Sequence, residues 1–108
     1  MSISIEDFGK LEMKIGRVTS VEDIPAARKP MYKLTVDFGD STKQCVGGIK
    51  EFYDKERLNG RLVVAVVNLQ PKSVAGVISE CMLLAAFDSS TVSLLAPDRE
   101  MPLGTRVG

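Results

Sequence analysis

Tyr32, Leu34, Val36 and Phe38 alternate with Lys33, Thr35 and Asp37, so this segment has one apolar and one wet face and predicts a half-buried strand. Gly39-Asp40 supplies a turn in which glycine takes a positive φ, and residues 42–49 return as the partner strand. The Gly47-Gly48 pair weakens that strand's end and implies a close backbone approach or a sharp exit. Upstream, residues 14–24 mix β-branched and charged side chains as a first, strongly bent strand, with Gly16 offering the place for the bend. Downstream, residues 61–69 and 81–87 are almost wholly apolar, the pattern of buried strands, and residues 91–95 form a last short strand. Residues 25–30, bounded by prolines, are a loop, residues 70–79 a connection holding Pro71 and Gly76, and residues 97–108 a turn-rich tail. Two short helices complete the pattern. Ser4-Ile5-Glu6-Asp7 has the form of a capping box for a helix that stops near Gly9. Asp54 caps a second helix that ends at Asn59-Gly60.

Five short strands with a small helix after the third describe an all-β, five-stranded OB-fold Greek-key barrel, though an SH3-like barrel or a small sandwich shares much of the pattern. The chain has 108 residues, 44% hydrophobic and 26% charged, which suits one folded domain over residues 1–108. The longest apolar runs are far shorter than a membrane span, and the N-terminus carries acid where a signal peptide carries base. A cytoplasmic protein without membrane insertion is expected.

Fourteen Lys and Arg balance fourteen Asp and Glu, so no net field draws the protein to nucleic acid and any basic surface must be local. There is no His, which removes Ser-His and Cys-His nucleophile activation and the commonest metal ligand. Cys45 and Cys81 lack the spacing of a zinc site and read as reduced core residues. No carboxylate pair converges on one element, so neither an enzyme nor a metal or other cofactor is expected. On an OB-fold, ligands meet strands 2 and 3 and the loops joining strands 1 to 2 and 4 to 5. Arg28 and Lys29 lie in the first of these loops, Lys33 on strand 2, and Lys72 with Ser73 in the later connection; together they suit phosphate contacts, although loop cations are also ordinary solvated residues. With no Trp, and with Tyr32, Phe38 and Phe87 assigned to the core or its edge, a generic single-strand binder is disfavoured. Phe52-Tyr53 reads as a plug for the barrel.

The run Asp7-Phe8-Gly9-Lys10-Leu11-Glu12-Met13-Lys14-Ile15-Gly16-Arg17-Val18 resembles the opening of the tRNA-binding domain family, and Gly60-Arg61-Leu62-Val63-Val64-Ala65-Val66-Val67-Asn68-Leu69 resembles its fourth strand. Ala27-Arg28-Lys29-Pro30-Met31-Tyr32-Lys33-Leu34, Ser79-Glu80 and the tail from Ala96 are similar to the CsaA secretion-chaperone branch, while Gly47-Gly48-Ile49 is nearer to the tRNA binders. The resemblance implies an OB-fold and a homodimer. It implies either a chaperone for unfolded or preprotein segments or a structure-specific tRNA-binding protein. For RNA, the expected contacts are Arg28, Lys29, Lys33, Lys72 and Ser79; for polypeptide, a groove between protomers walled by Met31, Val74 and Val77, two valines that could equally fill the barrel mouth. Apolar residues at both ends, Ile3, Ile5, Phe8, Leu11, Leu103 and Val107, would be covered by the second copy.

Overall fold

The computed structural model describes residues 1–108. Helix α1 (Ile5–Gly9) is followed by strands β1 (Met13–Asp23), β2 (Tyr32–Asp37) and β3 (Thr42–Gly47), helix α2 (Lys55–Leu58), and β4 (Leu62–Val66). Six short strands complete the chain: β5 (Lys72–Val74), β6 (Val77–Ser79), β7 (Met82–Leu83), β8 (Ala85–Phe87), β9 (Val92–Leu94) and β10 (Arg106–Val107). The main sheet runs β3-β2-β1-β4-β7, all antiparallel, with β10 on β1. It curls into a nearly closed barrel, the all-β OB-fold.

Strand β1 makes the curl. Its first half, Met13 to Arg17, pairs with β4, and its second half, Arg17 to Asp23, pairs with β2. The register with β2 shifts between Val18 and Ser20, leaving Thr19 as a bulge. An extra residue in one strand increases local twist, so the Thr19 bulge adds to the bend expected at Gly16. Gly16 has another duty: a Cβ there would sit 2.5 Å from Val36 Cγ1 and 2.7 Å from the Phe38 ring. The strand gives up a side chain so that Phe38, 1% exposed, can lie against its backbone.

The barrel closes between β3 and the β6–β7 segment through side chains as much as backbone. Glu80 N donates to Gln44 O at 2.8 Å, Gln44 N to Glu80 Oε1 at 3.0 Å, and Val46 N to Ser79 Oγ at 3.1 Å. Gln44 Nε2 adds a bond to Ile78 O at 2.8 Å. Inside this seam Cys45 and Cys81 are buried and unbridged. The neighbouring Cys81 thiol and burial both push the Cys45 thiol upward, so it stays protonated.

The apolar run of β4 is explained by two cores, as a strand buried on both faces requires. Val63 and Ala65 join the barrel interior with Val18, Leu34 and Val36, while Val64 and Val66 join Met13 and Ile15 on the opposite face. Tyr53 plugs the barrel: its hydroxyl accepts from Leu94 N at 3.0 Å, and its carbonyl accepts from Tyr32 Oη at 2.8 Å.

Several expectations are corrected. Residues 81–87 are not one buried strand: only Met82–Leu83 pair with β4, and the chain then leaves the sheet to form the β8–β9 hairpin. Phe87, read as core or edge, is 79% exposed, because it pairs with Val92 near the turn of that hairpin, beyond the barrel wall. Residues 70–79 hold the β5–β6 hairpin, and the tail contributes β10. Asp54 makes no side-chain cap on α2, whereas Ser4 Oγ does accept from Asp7 N at 3.1 Å; the Asp7 carboxylate turns to Lys10.

Replacing Gly16 by Ala forces Val36 and Phe38 to move, and overpacking of this kind costs about 1–3 kcal/mol. Denaturant unfolding of Gly16→Ala is expected to show that loss, and stability equal to wild type would contradict this packing.

Candidate ligand-binding groove

The bulge in β1 aims its second half toward the loop of residues 24–31, and Asp23 at the strand's end anchors that loop's base. Its carboxylate bridges Lys50 and Lys55, each at 3.0 Å. These hydrogen bonds, Lys50 first, hold the Asp23 carboxyl below the ordinary aspartate value despite its exposure.

Opposite the loop stands the β5–β6 hairpin, carried there by the seam at Ser79 and Glu80. Its turn is Ala75-Gly76, with φ of 50° and 84°, so alanine occupies a left-handed conformation that costs an L-residue roughly 1–2 kcal/mol. The loop and the hairpin tip meet. Together they form an open groove of about 380 Å³ lined by Ala26, Ala27, Arg28, Lys29, Met31, Val74 and Ala75. Val74 also belongs to a second groove, of about 280 Å³, where Lys72 and Val46 stand with Leu69 and Met82. Because Val46 is the register partner of Lys33, this second groove lies on the outer face of β2 and β3.

Arg28, Lys29 and Lys72 are exposed and take part in none of the protein's ion pairs. Lys33 sits on the same outer face but is half-buried, 4.0 Å from Glu22. Ser79 lines the second groove, yet its hydroxyl is committed to the seam, accepting from Val46 N and donating to Cys81 O at 3.3 Å. Val77 pairs with Val74 across the hairpin and lines neither groove. Sequence reasoning passed over Ala75, Val46, Leu69 and Met82. Two of them carried a signal: Val46 alternates onto the wet face of β3, and Ala75-Gly76 separates two three-residue β-patterned stretches, the mark of a two-residue hairpin turn.

A third, larger depression of about 680 Å³ lies over the second core, lined by Phe8, Leu84, Leu95, Met101 and Val107 among others. It joins the two ends of the chain. The tail is bound to β1 by Ile15 N to Thr105 O at 2.9 Å and Gly104 N to Ile15 O at 2.8 Å. Asn68 holds the segment after α1, accepting from Glu12 N at 2.9 Å and donating to Lys10 O at 2.7 Å. Phe8 and Leu95 remain 37% and 44% exposed at its surface.

Residues 13–106 match the family described as "Putative tRNA binding domain", and the chain belongs to this family. Over 105 residues, 97% of this chain, it is 44% identical to a methionine–tRNA ligase of Methanococcus maripaludis, but it spans only 16% of that enzyme's length. The crystal structure of the chaperone CsaA from Bacillus anthracis superposes with a TM-score of 0.94 at 40% identity, covering 100% of both chains. A MetRS related protein from Pyrococcus horikoshii superposes with a TM-score of 0.92 at 37% identity, covering 100% of this chain and 99% of its own. No helix is long and apolar enough to cross a membrane.

The Asp23 clamp has a defined pH dependence. Its folded-state pKa is lowered, so the clamp contributes fully above the ordinary aspartate range and is lost as pH falls through the lowered value. NMR titration is expected to give Asp23 a midpoint below 3.8, with loop residues 24–31 shifting in step. A midpoint at or above 3.8 would show that Lys50 and Lys55 do not hold it.

Proposed function

We propose that this protein is a non-enzymatic, homodimeric chaperone of the CsaA type that receives unfolded or preprotein segments in the groove between the residue 24–31 loop and the β5–β6 hairpin. The observation that carries this reading is the groove's composition. Met31, Val74 and Ala75 give an apolar floor, and Arg28 and Lys29 give a rim of cations with no partner in the protein. A flexible, polarizable methionine accepts varied apolar side chains, while rim cations draw acidic or carboxylate-bearing segments. The strained Ala75 turn fits the same role, since strain persists where a surface is kept for a ligand. The likeness in fold and sequence to CsaA supports the reading.

Binding of structured tRNA is the second reading, favoured by the three unpaired cations Arg28, Lys29 and Lys72 and by the likeness to methionine–tRNA ligases. In both readings the large apolar depression beneath Phe8 and Leu95 is covered by a second copy, because exposed apolar area of this kind is rare on a monomer.

Met31→Asp is expected to weaken binding of a reduced, carboxymethylated polypeptide about tenfold, roughly 1.4 kcal/mol, with mass and melting temperature unchanged. Retained affinity would remove the groove from polypeptide binding. Neutralising Arg28, Lys29 or Lys72 is expected to lower the slope of log affinity for tRNA against log salt by roughly 0.7–0.9 each. No tRNA retention at low salt would end the second reading. Leu95→Asp, at an exposed position, is expected to convert a dimer to a folded monomer in analytical ultracentrifugation; a wild-type mass of 11.7 kDa at micromolar concentration would contradict dimerisation.

A further inference from the structure

Away from both grooves, two arginines converge on one aromatic ring. Arg57 lies in α2 and Arg61 precedes β4, four residues apart across the Asn59-Gly60 turn, and each guanidinium carbon lies 5.3 Å from the centroid of the Tyr53 ring. Tyr53 is held from behind: its hydroxyl accepts from Leu94 N and its carbonyl from Tyr32, so the ring is a fixed support. A cation over a phenol face is favourable, but two cations at one ring repel each other. The protein supplies no anion to offset this. Its six ion pairs use Lys10, Arg17, Lys33, Lys50, Lys55 and Arg99 as cations, and neither Arg57 nor Arg61 is among them. Glu56 adjoins Arg57 and Asp54 stands three residues before it, and neither pairs with it. The neighbouring Arg17 does not compete for an anion, since it donates to Gly60 O and to Glu100, both at 2.8 Å.

A second, independent feature points the same way. Arg61 Nε is buried and has no hydrogen-bond partner, the only buried side-chain nitrogen or oxygen left in that state. A buried donor without an acceptor is costly, and such groups in native proteins are met by water, an ion or a ligand.

We propose that Arg57 and Arg61, backed by Tyr53, form a phosphate-binding site distinct from the groove. Phosphate is favoured over carboxylate by the geometry of the donors. A carboxylate brings two oxygens and a single charge, whereas a tetrahedral phosphate brings more oxygens and more charge to two guanidinium groups and can also accept from Nε. The phosphate is either a free ion or part of an RNA backbone; in the second case this site extends the tRNA reading to α2, and it stands without that reading in the first.

The test follows the arginine Nε–Hε signals by NMR at low salt while inorganic phosphate, acetate or bulk tRNA is added. Phosphate is expected to shift the Arg61 signal, acetate to leave it in place, and Arg57→Gln, an exposed change, to weaken phosphate binding about tenfold without altering the melting temperature. Arg28→Gln with Lys29→Gln is expected to leave the phosphate response intact, which separates this site from the groove. A tRNA-induced shift of the same signal, with a salt slope reduced by about one in Arg57→Gln, assigns the phosphate to RNA; a response to phosphate alone assigns it to the free ion. An Arg61 signal that responds to neither phosphate nor tRNA, or that responds equally in Arg57→Gln, overturns the proposal.

Discussion

One strand serving two partners is the constraint on which the rest of this protein depends. β1 must pair with β4 over its first half and with β2 over its second, and it can do so only by turning between them. Two local features permit the turn: the Thr19 bulge, and the missing side chain at Gly16, through which Phe38 reaches the strand's backbone. If Gly16 carried a Cβ, Phe38 and Val36 would be displaced, and the inner face that gathers Leu34, Cys45 and Val63 would lose its floor.

The same turn sets up the candidate groove. It sends the end of β1 toward Asp23, whose lysine clamp anchors the residue 24–31 loop, while the opposite wall is delivered by the seam between β3 and the β6–β7 segment. There the side chains of Gln44, Ser79 and Glu80 replace part of an ordinary strand ladder. Ser79 thus holds the hairpin bearing Lys72, Val74 and Ala75 in place. A residue of this kind shapes a site by positioning its walls, with its own polar atoms spent in the scaffold.

Much of the barrel was legible in the sequence because its strongest signals are local. The alternation from Tyr32 to Phe38 and the unbroken apolar run of β4 report burial directly, and both elements are where those patterns put them. The run from Cys81 to Phe87 misled for a physical reason: hydrophobicity does not distinguish a strand buried inside the barrel from one that leaves it, and only pairing with Val92 places Phe87 outside. Of the residues expected at a site, Arg28, Lys29, Met31 and Val74 do line the candidate groove. Val77, the register partner of Val74, lines neither groove. The pairing of Arg57 and Arg61 on Tyr53 depends on where the barrel plug sits, a tertiary fact that no spacing encodes.

In the proposed function, ligand meets this protein where the first loop and the β5–β6 hairpin converge. Backbone amide shift mapping with an unfolded polypeptide tests it most directly. A continuous footprint over residues 26–31, Val46 and residues 72–76 is expected, with the β8–β9 hairpin unchanged. A footprint centred on Phe87, or one confined to the apolar depression at Leu95 and Met101, would contradict it.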